Sequence, residues 1–334
     1  MAGKLGKLAI TLPAPHLSLL ECVELAVRAE QEWGYESIWL AETSGPDSFS
    51  LAAAVATVTQ HVEIGTAIVP VYNRTPAVLA MSAGSVAELS EGRFVLGLGT
   101  SSHAIIEQWN GVPFERPLDS VKDSLAICRQ ALAGERTDYS GEVFRSRGFR
   151  MTVRPPSPVP IYLAALREKM LHMAGELADG VIINLFPFAA LGQIVDAFEA
   201  GARAAGRPSG APVVCRHQVG LTDDVPAARS LLRKNLGGYF ATPVYNRFLR
   251  WCGYEQEMEA VSRGFANRDR EAVAAALHDD FIDATAILGD FDRCCEQLAA
   301  FVDGGVTTTV LSPVSSNREE TLACYEAFAP VNLS

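Results

Sequence analysis

The sequence predicts a closed parallel (β/α)8, or TIM, barrel with insertions, and three observations carry that reading. Eight short apolar runs alternate with longer amphipathic segments along most of the chain. The runs are near-continuous in hydrophobicity, as in strands covered on both faces. Small polar or charged residues follow several of the runs directly, where a parallel barrel gathers its chemistry. An open, doubly wound sheet is the competing arrangement of the same alternation. One domain over residues 1–334 is expected, with insertions at about 136–155 and 223–281.

Residues 7–11 (Lys-Leu-Ala-Ile-Thr) read as the first strand. Ser18 is placed to cap a helix whose Leu20, Val23, Val27 and Trp33 share roughly one face, and Gly34 stops it. A second strand at 37–41, a helix at 50–59 and a third strand at 62–69 follow. Thr75-Pro76 is an N-cap with proline at the first helical position, and that helix runs through Met81 and Leu89. After the Glu91-Gly92 turn comes a fourth strand at 93–99. A long loop over 100–116 precedes a helix at 117–133. The alternation then breaks. Residues 138–144 and 149–153 suggest a small hairpin, ended by Pro155, Pro156 and Pro158. It resumes as strand 160–164, helix 168–177, strand 180–184, helix 189–205 and strand 213–221. Residues 223–281 are helical and irregular and carry Tyr239, Tyr245 and Trp251. A helix at 290–302, a last strand at 307–311 and a helix at 318–328 complete the pattern.

The balance of 28 basic and 39 acidic residues, net -11, argues against nucleic acid as the main partner, because phosphate binding needs a basic footprint. With 49% hydrophobic and 20% charged residues the chain can fill a large core. Lys4 and Lys7 precede a short apolar stretch, but Pro13, Pro15 and His16 interrupt it too early for a secretory leader. No segment approaches the ~20 apolar residues of a membrane span. A cytoplasmic protein without a membrane partner is expected. Seven scattered cysteines without a C-x-x-C pair fit reduced thiols, and no cysteine–histidine cluster suggests a metal.

Familiar nucleotide and hydrolase motifs fail. Gly97-Leu-Gly-Thr-Ser-Ser102 begins like a dinucleotide fingerprint, but the third glycine is missing and a loop follows in place of a helix. Asp119 opens a helix where the fingerprint needs an acid at a strand end. There is neither a P-loop nor a G-x-S-x-G elbow.

Attention therefore falls on the strand ends. Residues 34–42 read Gly-Tyr-Glu-Ser-Ile-Trp-Leu-Ala-Glu, residues 64–70 Ile-Gly-Thr-Ala-Ile-Val-Pro, and residues 72–76 Tyr-Asn-Arg-Thr-Pro. Residues 89–100 read Leu-Ser-Glu-Gly-Arg-Phe-Val-Leu-Gly-Leu-Gly-Thr, and 161–166 and 174–181 continue the series. In these stretches the chain resembles the luciferase-like monooxygenase superfamily, in its coenzyme F420-dependent oxidoreductase branch. Each motif is short; their joint order, over nearly the whole chain, is specific. The resemblance implies a bacterial luciferase-like barrel, usually a homodimer, with coenzyme F420 in its mouth. The function it implies is hydride transfer between the deazaflavin and a small organic substrate. FMN is the alternative coenzyme, in a monooxygenase supplied with reduced flavin by a partner reductase. A reductase that recycles F420 is the corresponding partner for the first reading. A non-catalytic homologue, binding a coenzyme or having lost it, is the third.

The family carries a non-prolyl cis peptide at the end of strand three, a bulge against the ring; here that is Ala67–Ile68, with Thr66 beside it. Glu42 would lie at the ring's polar edge, a solvated rim carboxylate being the other account. Relatives often follow this acid with a proton-transferring histidine. Thr43 stands here instead, and a hydroxyl is a poor general base near neutral pH without a neighbouring base. This departure speaks against alcohol oxidation and leaves a reductase or an oxygenase. Thr100 and Ser101 are candidates to hydrogen-bond the coenzyme. His103 is a candidate acid or base, or a loop histidine facing water. Trp109 and Phe114 either wall a substrate pocket or pack on the neighbouring helix. Ala164, Ala165, Leu166 and Arg167 precede a helix N-terminus and are assigned to the coenzyme's phosphate, against the alternative of a surface arginine with no ligand. Asn184 ends a strand as a candidate substrate contact.

Overall fold

Apolar runs buried on both faces become a ring of strands in the computed structural model, which describes residues 2–333. Met1 and Ser334, the ends of the expected 1–334 domain, lie outside the described residues. The strands are β1 Lys7–Leu12, β2 Ser37–Leu40, β3 Glu63–Thr66, β4 Val69–Pro70, β5 Phe94–Gly99, β6 Asp138–Ser140, β7 Arg145–Arg147, β8 Ile161–Ala164, β9 Gly180–Asn184, β10 Val213–Leu221, β11 Ile287–Gly289 and β12 Thr308–Pro313. The ring runs β1, β2, β3, β5, β8, β9, β10, β12 and back to β1, every pairing parallel. Because β10 pairs with both β9 and β12, the sheet closes, and the open doubly wound arrangement is excluded.

Helices fill the outer layer, and their ends obey local chemistry. Leu19–Gln31 opens with a capping box in which the Ser18 hydroxyl accepts from the Glu21 N–H and the Glu21 carboxylate accepts from the Ser18 N–H. Asp47 caps Ser48–Val58, and Pro76 occupies the first turn of Pro76–Leu89. Between β10 and β11 lie Val225–Phe240, Pro243–Trp251, Glu255–Ala266, Arg270–Ala276 and Asp279–Thr285.

The core has two parts. The larger lies between barrel and helices. The smaller fills the barrel itself with Ala9, Trp39, Val95, Tyr162, Ile182, Val214 and Val310. Trp39 stacks on Tyr162 at 5.9 Å and 25°. Gly65 makes room for it, since a Cβ there would lie 2.4 Å from the indole. On the outer face of β10, His217 is buried against Phe301, 4.5 Å between ring centroids, and burial pushes its imidazole pKa down to about 3.

Four expectations change. The third strand is interrupted after Thr66 and resumes as β4. The loop over 100–116 contains a π-helical turn, Ala104–Trp109. The second arm of the hairpin is Arg145–Arg147, not 149–153, with Asp138 opposite Arg147. Buried Asp123 causes this shift: its carboxylate accepts from the Tyr139 hydroxyl and the Val143 and Phe144 N–H groups, which fixes the turn early. β11 was not anticipated; three residues after a helical run carry no strand periodicity, and it forms by pairing Val219–Leu221 of β10. No described helix is long and apolar enough to cross a membrane. The described residues contain no group of three or more His, Cys, Asp or Glu that could hold a metal ion.

Candidate active site

Side chains alternate in and out along a barrel strand, so the residues two positions beyond the apolar filling form the floor of the mouth. Above Ala9, Ile182, Val214 and Val310 these are Thr11, Asn184, Arg216 and Ser312. Arg216 and Asn184 are direct register partners on β10 and β9. The Arg216 Nε donates to Thr11 Oγ1 at 3.3 Å and its Nη2 to Ser312 Oγ at 2.8 Å. The Asn184 Oδ1 is buried with no hydrogen-bond partner. This half of the mouth is polar. The other half is apolar and small: Ala67, Ile68 and Ala164 pack onto the internal cluster. A Cβ on Gly99 would lie 2.9 Å from Ile68 Cγ1 and 3.1 Å from Ala164 Cβ, so glycine keeps this shelf flat.

The shelf depends on the strand break. Ala67–Ile68 is a cis peptide, as the resemblance implies, and the Ala67 N–H donates to the Leu40 carbonyl at 2.6 Å. Thr66 is fully buried. Its hydroxyl donates to the Gly97 carbonyl and accepts the Gly97 N–H, both at 2.9 Å. One side chain thus stands in for a missing rung of the ladder between β3 and β5. The hydroxyl of Thr66, a residue expected at the coenzyme, is engaged by Gly97 behind the shelf.

Glu42 and Thr43 lie beyond the end of β2. The Glu42 carboxylate accepts two bonds from Arg74, at 2.8 and 2.9 Å, and one from the Ser48 N–H at 3.0 Å. Arg74 also pairs with Asp47 and lies over the Phe49 ring, 5.1 Å from its centroid. Burial opposes the charge on Arg74, but the bonds and fields of Glu42 and Asp47 outweigh it and raise its pKa. Glu42 is therefore not a solvated rim carboxylate; it ties the end of β2 to the loop after β4 through Arg74. Arg74 was not singled out from the sequence, although it sits inside the Tyr-Asn-Arg-Thr-Pro stretch. Thr43 is exposed.

Beside the shelf lies a cavity of about 510 Å³. Of the residues expected from sequence it brings together Thr100, His103, Phe114, Ala164, Leu166 and Arg167. The His103 ring lies 4.1 Å from that of Phe114, and its Nδ1 is buried without a partner. Phe114 in turn stacks obliquely against Tyr72 at 5.2 Å. Arg167 flanks the helix Glu168–Leu177 as its N-cap residue, and burial together with repulsion from Arg247 lowers its pKa. Arg167, Lys169 and Arg247 all line the cavity and form no ion pair among the described residues. Lys169 and Arg247 were not anticipated. Arg247 shares the helix Pro243–Trp251 with Trp251, one of the aromatic residues noted in the 223–281 insertion, and sequence pattern alone could not position that helix over the mouth. The other expected residues lie outside this cavity wall: besides Glu42, Thr43, Thr66, Ala67, Ile68 and Asn184, described above, Trp109 is 58% exposed, Ser101 is half-buried, and Ala165 is buried with its N–H on the Ile182 carbonyl.

Comparison with known proteins agrees with this fold. Residues 7–308 match the family described as luciferase-like monooxygenase. The chain is 30% identical to a 5,10-methylenetetrahydromethanopterin reductase of Methanolobus tindarius, over 92% of this chain and 95% of that one. It is 27% identical to the protein of the same name from Archaeoglobus fulgidus, over 90% and 92% of the two chains. The solved coenzyme F420-dependent tetrahydromethanopterin reductase of Methanopyrus kandleri superposes with a TM-score of 0.81 at 21% identity, covering 97% of both chains, and so shares the fold.

Proposed function

Because this chain belongs to the luciferase-like monooxygenase family, we propose that it is a coenzyme F420-dependent oxidoreductase, passing a hydride between the deazaflavin and a small organic substrate. One observation supports this most directly: a flat apolar shelf at Ala67–Ile68 and Gly99 adjoins a cavity lined by three cations, Arg167, Lys169 and Arg247, against one carboxylate, Glu168, with no ion pair formed by the cations among the described residues. A planar ring fits the shelf, and a phosphodiester fits the cations at the start of Glu168–Leu177. When bound, the deazaflavin supplies hydride donation or acceptance at ring position 5.

The chain's own residues bind, orient and exclude water. Ile68, Gly99 and Ala164 give the shelf its level surface, and Thr66 holds that surface in place from behind. Arg167, Lys169 and Arg247 neutralise the anionic tail. His103, with Nδ1 lacking a partner, is the residue to give or take the substrate proton, and Phe114 holds its ring. Thr43 is exposed at the rim and its hydroxyl makes no hydrogen bond among the described residues, which suits reduction better than alcohol oxidation. Pro243–Trp251 covers the cavity through Val244, Arg247 and Trp251 and limits solvent entry. Exposed Val78, Met81 and Leu89 on one face of Pro76–Leu89 support the dimer that the family suggests.

The test is fluorescence titration of purified protein with F420 and, separately, with FMN. Quenching of F420 with micromolar affinity is expected. Retention of FMN with no response to F420 would overturn the reading in favour of the monooxygenase alternative.

A further inference from the structure

We propose that the substrate of this enzyme is anionic and that Arg216 holds its carboxylate on the polar half of the barrel mouth. The proposal rests on the reading of the mouth as the coenzyme site and goes further by naming the substrate class.

The argument begins with the position of the cation. Arg216 points into the barrel, two residues above Val214 of the apolar filling and level with Asn184. It forms no ion pair among the described residues. Its Nε and Nη2 each donate to a buried hydroxyl, Thr11 Oγ1 and Ser312 Oγ. A guanidinium carries five N–H donors, so these two bonds leave both hydrogens of Nη1 and one of Nη2 without an acceptor. A largely enclosed charge without a counter-charge is costly and is ordinarily paired. Here no described residue supplies the counter-charge, while the guanidinium is held rigid by two neutral hydroxyls. That arrangement pre-organises a planar fork for an incoming carboxylate.

Two neighbours narrow the ligand further. The orphan Oδ1 of Asn184 asks for a hydrogen-bond donor beside the carboxylate. From the covering helices, Tyr245 lies beside Arg216 and Asn184, and its ring is 4.5 Å from that of Tyr239. Their hydroxyls add hydrogen-bonding groups beside Asn184 and the guanidinium. The three cations on the β8 side belong to the separate cavity described above, so the mouth has two anion seats of different chemistry.

The test uses benzoate and benzamide, which differ chiefly in charge, as probes in calorimetric titrations of the full chain, with and without F420. Wild type should bind benzoate roughly tenfold or more tighter than benzamide, the scale of a charge-assisted hydrogen-bonded pair. R216Q should erase that preference, R216K should retain part of it, and R167Q should leave it intact. F420 affinity of R216Q should stay within about threefold of wild type, well below a tenfold loss of one charged contact. Equal binding of the two probes by wild type, or a preference surviving in R216Q, overturns the proposal. So does a loss of F420 affinity in R216Q with benzoate binding unchanged, because the guanidinium would then serve the coenzyme. If wild type fails to bind F420, the coenzyme reading falls by itself, and the coenzyme-free benzoate arm still decides Arg216. Should R216Q not fold, R216K and the wild-type probe pair carry the decision.

Discussion

Replacing Thr66 with valine tests the splint behind the shelf. The two side chains have nearly the same shape, so packing around the fully buried position is kept and only the hydroxyl is lost. That hydroxyl satisfies both the N–H and the carbonyl of Gly97. Gly97 cannot turn to β8 for replacements, because the bonds on that side run through its neighbours, as with the Leu96 N–H on the Pro160 carbonyl. Nor can β3 slide closer: a Cβ at Gly97 would already sit 1.8 Å from the Thr66 carbonyl oxygen, so the backbones are at contact. The variant therefore strands two buried backbone groups. At about 1–3 kcal/mol for each unsatisfied group, T66V should lose about 2–6 kcal/mol. T66S keeps the hydroxyl and should lose about 1 kcal/mol for the missing methyl. Urea denaturation followed by circular dichroism measures both. A T66V protein within about 0.5 kcal/mol of wild type, the usual range of an inconsequential substitution, would show that the hydroxyl bridges nothing of consequence. If T66S folds but binds F420 tenfold more weakly, Thr66 contacts the coenzyme after all.

Three further outcomes are expected. E42Q leaves Arg74 with Asp47 alone and should cost about 2 kcal/mol, between a surface and a buried pair; a double-mutant cycle with R74Q that shows no coupling would dismiss the ion pair as a loop anchor. H103A should lower turnover by roughly 100-fold with an unchanged melting temperature, and a wild-type rate would leave His103 as a wall residue only. His217 has a folded pKa depressed to about 3, below its unfolded value near 6.5. The unfolded chain thus binds the extra proton first, so stability contributed by neutral His217 is full above about pH 6.5 and declines down to about pH 3, by at most about 1.4 kcal/mol per pH unit. H217Q should flatten that decline, and an identical pH profile in wild type and variant would refute the assignment.

The barrel was legible because its strands are covered on both faces and spaced by helices; Ser18 and Pro76 mark helix starts by chemistry that acts within one turn, whereas the Asp47 cap, which starts its helix at Ser48, was not read. The strand ends were legible for the same reason, since burial is unbroken along these strands and first gives way at Asn184 and Ala164. What escaped was long-range. Nothing local says that the partner of Glu42 is Arg74, that Asp123 fixes a hairpin turn twenty residues away, or that Arg247 comes to face Arg167. Arg216 was hidden differently. It sits mid-strand in an apolar run, where a single cation reads as an interruption until closure of the ring shows that it points inward.

The division of the mouth into a smooth neutral half and a hydrogen-bonding half has a consequence for misrecognition. Each half rejects the wrong guest for a different reason: the neutral side offers an ion nothing to hold, and the polar side charges a desolvation cost to anything that cannot replace the lost water. A flat uncharged solute should therefore settle where the coenzyme ring belongs and not where the substrate does. Inhibition by such molecules would be competitive with the coenzyme, whereas small acids would compete with the substrate. Two families of inhibitor, sorted by charge alone, could report separately on the two halves of one opening.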